Sequence, residues 1–140
     1  MTVSPYLAFN GNCTQALALY EEAFGVKAGM TMRYVDSPPE EGYEPPAGTE
    51  DFIMHAQLIL GSSTIFMCDA MPDNKCSFTS GISIHVSLDS ERAVKTAFDI
   101  LKVGGEVDME PAPTFWSQYF CILTDKFGVC WMLSYQESAD

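Results

Sequence analysis

Ile82-Ser83-Ile84-His85-Val86-Ser87-Leu88 alternates aliphatic and polar side chains; Asp89 follows, and Val94, Ala97, Phe98 and Leu101 then recur at helical spacing until Gly104-Gly105. A period of two that gives way to a period of 3.6, with a short polar side chain at the change and glycines at the end, predicts strand, cap and helix. The same order stands near the start of the chain. Tyr6 to Phe9 are apolar, Asn10-Gly11-Asn12 supply the cap, Cys13, Leu17, Tyr20 and Phe24 follow at helical spacing, and Gly25 is the stop. A shift of 77 residues places Leu7 on Ile84, Phe9 on Val86, Asn12 on Asp89, Ala16 on Ala93, Phe24 on Leu101 and Met32 on Met109.

Three strand-like runs follow each helix: Met30 to Val35, Ile53 to Leu60 and Thr64 to Cys68 in the first half, then Glu106 to Met109, Gln118 to Thr124 and Val129 to Tyr135 in the second. Each half reads βαβββ, so the expected class is α+β, with module one over residues 4–70 and module two over 80–136 of a single 1–140 domain. The last two runs correspond at a different shift, 65, which sets Phe66 on Trp131 and Met67 on Met132. A module of about 60 residues is marginal alone, so two must share an interface, within the chain or between chains.

Residues 36–51 form an acidic, proline-rich insertion with Asp36, Glu40, Glu41, Glu44 and Glu50 and no Lys or Arg, expected as a solvated loop; a lid carrying Tyr43 is the functional alternative. Met71 to Ser80 joins the halves, and Pro72, Asp73 and Asn74 supply its turn. The whole chain holds 19 acids against 7 bases, a net charge of −12, which argues against nucleic acid and an anionic membrane as partners. Residues 36–50 of the insertion supply −5 of it, so the sign of any pocket stays open. The five cysteines, 13, 68, 76, 121 and 130, show no CxxC spacing and read as reduced thiols rather than a disulfide framework or zinc knuckle. Met1-Thr2-Val3-Ser4-Pro5 has no basic segment or apolar core of an export signal, so the expected location is cytoplasmic.

Three stretches carry a resemblance to a known family: Ser4 to Cys13; Met54-His55-Ala56-Gln57-Leu58 with Ser62 to Pro72; and Thr114-Phe115-Trp116 with Thr124 to Met132. They resemble the PhnB-like family of the glyoxalase, bleomycin-resistance and extradiol-dioxygenase superfamily, also called vicinal oxygen chelate. The resemblance implies paired βαβββ modules with sheets curled around a shared cavity, usually in a homodimer, with a divalent ion in the metal-using members. That ion takes one ligand from the first and one from the last strand of each module, commonly His or Gln and then Glu. Carried onto this chain, those positions fall on Pro5, on Ile82 or Gly81, on Met67 and on Met132. None suits a hard divalent ion, because a thioether prefers soft ions and the others have no side-chain donor. The expectation is therefore no metal and no cofactor. Labels on relatives name demethylubiquinone methyl transfer and phosphonate chemistry. There is, however, no Gly-rich strand-to-helix loop with a following acid, and Arg33 or Lys126 would have to carry a phosphonate.

The candidate cavity residues are His55, Gln57, Met67, Ser83, His85, Trp116 and Met132. His55 alternates with Ile53 and Gln57, opposite Met54, Ala56 and Leu58, and His85 alternates with Ser83 and Ser87, opposite four aliphatics. The plainer role of each histidine is to face solvent or an interface, or to satisfy a buried partner. Met67 and Met132 would replace coordination with a flexible apolar lining; Trp116 and Trp131 both offer a flat apolar wall, Trp116 the better placed of the two, while ordinary core packing explains Trp131 at least as well. The leading function is affinity for a small, partly apolar molecule. The alternative is an enzyme of the same superfamily, metal-dependent through His55 and His85 or using one of them as acid or base.

Overall fold

Strand, helix and three strands occur twice in a computed structural model that describes residues 1–36 and 45–137. The first set is β1 (Tyr6–Phe9), α1 (Cys13–Phe24), β2 (Ala28–Arg33), β3 (Ile53–Leu60) and β4 (Ser63–Asp69). The second is β5 (Ile84–Leu88), α2 (Glu91–Leu101), β6 (Glu106–Ala112), β7 (Tyr119–Thr124) and β8 (Cys130–Tyr135). Two compact units result, one of Met1–Glu21 with Gly25–Ser77, the other of Glu22–Phe24 with the residues from Phe78 onward. Each holds one four-stranded sheet, ordered β1-β4-β3-β2 or β5-β8-β7-β6. The first and last strands of each set lie parallel and the other pairs antiparallel.

The alternation of side chains gives each sheet one buried face. In the first unit Leu7, Phe9, Ala56, Leu58, Ile65 and Met67 are buried, as are Cys13, Ala16, Leu17 and Tyr20 of α1. In the second, Cys121, Leu123, Trp131 and Leu133 are buried, α2 packs on β7 and β8, and its Val94, Ala97, Phe98 and Leu101 are covered. Each such large side chain contributes roughly 1.5–3 kcal/mol by leaving water.

The two helices begin by different means. Asn12 precedes α1, but its side chain makes no cap bond. Instead Asp69, buried at the end of β4, accepts from the N–H groups of Gly11 and Cys13 through Oδ1 and from that of Ile53 through Oδ2, each at 2.9 Å. At α2 the cap is Ser90, one residue beyond the expected Asp89, and its Oγ accepts from the Ala93 N–H at 3.0 Å. Gly25 ends α1 at φ 65°, and its N–H donates to the Glu21 carbonyl.

Several expectations are corrected. A β-bulge leaves Met54 unpaired between Met32↔His55 and Arg33↔Ile53, which turns Ile53 away from the His55 face into the core. Ile82 is 77% exposed because β5 begins only at Ile84. β2 starts earlier than expected, at Ala28, and Tyr34–Asp36 form a 3-10 turn. In the described part of the insertion Pro46 to Gly48 and Glu50 are exposed, while Thr49 is buried and the Val35 N–H donates to the Glu50 carbonyl. The lid residue Tyr43 lies outside the described residues.

The repeat needs a different alignment in its last strands. Ala56 and Cys121 are both buried, as the shift of 65 requires, but Ala56 pairs with Met67 and Cys121 with Leu133. Met67 therefore answers Leu133, and Phe66 answers Met132. The cause is turn length: Leu60 pairs with Ser63 across Gly61-Ser62, whereas Thr124 pairs with Cys130 across residues 125–129. Among the described residues no helix is long and apolar enough to cross a membrane.

Candidate functional site

The face of each sheet opposite its core carries most of the candidate side chains. In the first unit Tyr6 and Gln57 both stand directly opposite Phe66, one from β1 and one from β3. The Tyr6 hydroxyl lies 2.9 Å from His55 Nδ1. The rings of Tyr6, His55 and Phe66 lie with centroids 5.3–5.8 Å apart, all tilted. His55, Gln57, Phe66 and Cys68 are half-buried and Tyr6 is 54% exposed. Burial raises the Tyr6 phenol, and the neighbouring Cys68 adds to that rise. Among the described residues neither His55 Nε2 nor the Gln57 amide has a protein hydrogen-bond partner.

In the second unit the first strand supplies the imidazole. His85 Nε2 lies 2.7 Å from the hydroxyl of Ser134, a buried residue of β8. His85 and Ile122 stand opposite Met132, while Ser87 and Phe120 stand opposite Ser134. Trp116, 55% exposed, meets the Phe120 ring edge-on at 5.6 Å. Ser83 precedes β5 and is half-buried. Met67 differs from the other candidates because it lies fully inside the first unit's core. His55 and Gln57 thus share one face, while His85, Met132 and Trp116 belong to the other unit. Tyr6, Phe66, Phe120 and Ser134 were not singled out from sequence, although each falls on the half-polar phase of its strand.

The remaining polar groups are engaged elsewhere. Trp131 is fully buried and its indole N–H donates to Asp125 Oδ2 at 2.9 Å. Arg33 Nη1 donates to Thr14 Oγ1 and to the Asp51 carbonyl in a cleft of about 400 Å³ lined also by Gly11, Gln15 and Phe52. Lys126 Nζ sits 5.3 Å over the Phe127 ring. Burial pushes the Cys121 thiol up to about 11; the Cys13 and Cys68 thiols rise from burial and from the Asp69 charge. These three are poor thiolate nucleophiles at neutral pH.

The donor set does not fit the divalent ion of the metal-using vicinal oxygen chelate proteins. Of the positions expected from sequence, Met67 is enclosed in the core, Met132 offers a thioether, and Pro5 and Ile82 offer nothing; the observed register instead sets Tyr6 against Phe66 and His85 against Met132, with one imidazole and no carboxylate. Among the described residues no three His, Cys, Asp or Glu side chains are grouped as a metal site needs.

Against known proteins, the family described as 3-demethylubiquinone-9 3-methyltransferase matches residues 1–134. Protein YjdN of Escherichia coli (strain K12) is 34% identical over 140 residues, 96% of this chain and 95% of that protein. Protein PA1353 from Pseudomonas aeruginosa has a similar solved structure, with a TM-score of 0.84 at 36% identity over 99% of each chain. A putative 3-demethylubiquinone-9 3-methyltransferase, PhnB protein, from Bacillus cereus gives 0.76 at 25% identity, covering 96% of this chain and 99% of that one. The fold recurs at 10% identity and a TM-score of 0.67 in a glyoxalase/bleomycin resistance protein from Albidiferax ferrireducens T118, over 97% of this chain and 99% of that one.

Proposed function

The chain belongs to the family described as 3-demethylubiquinone-9 3-methyltransferase, the PhnB-like proteins of the glyoxalase/bleomycin-resistance superfamily, and we propose that it binds a small, partly apolar molecule on its open sheet faces without the superfamily's metal. The observation that carries this reading is the first unit's face, where the Tyr6, His55 and Phe66 rings stand beside an imidazole nitrogen and an amide that have no hydrogen-bond partner among the described residues. Rings supply apolar area and the few polar groups fix orientation, the usual division of labour in a ligand site. His85, Ser83, Met132 and Trp116 play the corresponding part on the second unit's face, and Met67 supports the first sheet from its core side. The working form in this proposal is a homodimer, as the resemblance implies, in the cytoplasm.

A thermal-shift panel of Zn²⁺, Mn²⁺ and Ni²⁺ and of small aromatic and phosphonate compounds tests it on the wild type and on His55→Ala and His85→Ala. A compound at 100 times its dissociation constant should stabilise the wild type by about 2.7 kcal/mol. At least one histidine variant should lose that shift. Stoichiometric tight metal binding would overturn the metal-free reading, and compound shifts that are absent or unchanged in both variants would remove the site. A second reading, a metal-free enzyme using His85 as acid or base, draws on the 2.7 Å contact to Ser134. It requires His85→Ala to lose turnover while keeping ligand affinity.

A further inference from the structure

We propose that the first unit's open face takes an uncharged planar aromatic ligand that stacks on the Tyr6, His55 and Phe66 rings and hydrogen-bonds to His55 and Gln57; this rests on the binding role proposed above. Three observations carry it. The first is the ring set itself. Tyr6, Phe66 and His55 stand on three adjacent strands with centroids 5.3–5.8 Å apart and mutual tilts of 33–55°. A further flat ring extends that packing, and one such contact changes affinity about two- to tenfold beyond the area it covers.

The second is the kind of polar group left over. The Tyr6 hydroxyl and His55 Nδ1 share one hydrogen bond whose direction follows the tautomer, which leaves Nε2 as a donor or an acceptor for a ligand. The Gln57 amide beside Phe66 both donates and accepts. These groups match a ring hydroxyl or a ring carbonyl.

The third is charge. Tyr6, Ala8, His55, Gln57, Phe66 and Cys68 include no Asp, Glu, Lys or Arg. The basic residue nearest in the sheet, Arg33, is committed to Thr14 and Asp51 in its own cleft. Asp69, the acid of β4, is buried and spends both oxygens on backbone N–H groups. Among the described residues of this face an anion such as a phosphonate therefore finds no counter-charge and a cation finds no carboxylate, in a chain whose net charge is −12.

Calorimetry on the full chain with four probes of similar size reads this out: 2-naphthol, its saturated counterpart decahydro-2-naphthol, 2-naphthyl phosphate and 2-naphthyltrimethylammonium. We expect 2-naphthol to bind about fivefold more tightly than the saturated alcohol and more tightly than either ion. Phe66→Leu should erase the preference for the flat ring, and Tyr6→Phe, which frees Nδ1, should weaken the hydroxyl contact. Because Phe66→Leu could unfold the sheet, proton NMR of the wild type supplies an independent check. Adding 2-naphthol should move the His55 ring signals, assigned with His85→Gln, by ring current. Equal affinity for flat and saturated alcohols, or tighter binding of either ion, overturns this inference while the binding role stands. If no probe binds in a His55-dependent way, this inference falls; if the wider panel fails as well, the binding role falls with it.

Discussion

Equivalent positions of the two open faces hold different groups. Where the first unit sets Tyr6 and Gln57 against Phe66, the second sets His85 and Ile122 against Met132. Both faces pair an imidazole with a hydroxyl, but the roles are exchanged between strands. The first strand gives the hydroxyl in one unit, Tyr6 to His55, and the imidazole in the other, His85 to Ser134. The first face is ring-rich and holds polar groups without a partner among the described residues, whereas the second gains apolar area from Met132, Ile122 and Phe120. One βαβββ scaffold thus presents two surfaces of different chemistry.

The buried carboxylates differ in the same manner. Asp69 binds three backbone N–H groups that lie far away in sequence, at Gly11, Cys13 and Ile53, and so joins β4 to the start of α1 and to β3. Asp125 accepts from the N–H groups of Phe127 and Val129 in its own turn and from the Trp131 indole of β8. Removing each should therefore loosen a different amount of structure. Asp69→Ala leaves buried N–H groups at three sites unpaired and should cost on the order of 4 kcal/mol. Asp125→Ala should cost about 3 kcal/mol, because water reaches the half-buried turn at Phe127. Urea unfolding measures both. Hydrogen exchange separates them: Asp69→Ala should expose amides of α1 and β3, and Asp125→Ala only those of the β7–β8 hairpin. Equal costs with the same exchange pattern would break the contrast.

The glycines between each helix and its next strand invite a second comparison. A methyl on Gly105 would overlap the Thr124 carbonyl oxygen and come within 3.0 Å of the Asp125 backbone. Backbone cannot step aside as a side chain can, so Gly105→Ala should cost about 3 kcal/mol. Gly25 has nothing within 4 Å of the same methyl, and only its φ of 65° resists substitution. Gly25→Ala should then cost about 1 kcal/mol. Thermal melts of the two variants check the order.

These contrasts mark what the sequence made legible. Periodicity located both helices and all eight strands to within a few residues, because alternation and helical stripes are local properties. Gly25 and Gly104-Gly105 were readable as stops for the same reason. The bulge at Met54 was not, since it shows only in the pairing of β3 with β2. Nor was the face of Met67, which depends on a turn three residues shorter than its counterpart; an odd difference flips the alternation downstream. Of the candidate site, the histidines and Gln57 were visible as the polar phase of their strands. Their partners Tyr6, Phe66 and Ser134 come from other strands, and no local pattern announces them.

The helix starts supply the smallest effect and the sharpest separation of the two units. Ser90 and Asn12 occupy the same place before their helices, and both residue types are strong caps. Only Ser90 uses its side chain, on the Ala93 N–H at 3.0 Å. Ser90→Ala should therefore cost about 1 kcal/mol, the ordinary value of a lost cap. Asn12→Ala should cost only a few tenths, because its weak contact to the Asn10 N–H at 3.3 Å is all it gives up while Asp69 still holds the Cys13 N–H. In an Asp69→Asn background the two units should converge. The weakened carboxamide leaves the α1 start short of an acceptor, Asn12 becomes the nearest substitute, and Asn12→Ala should then cost more than it does in the wild type. A double-mutant cycle in urea measures that coupling. Strict additivity would mean that Asn12 is no reserve cap and that α1 depends on β4 alone.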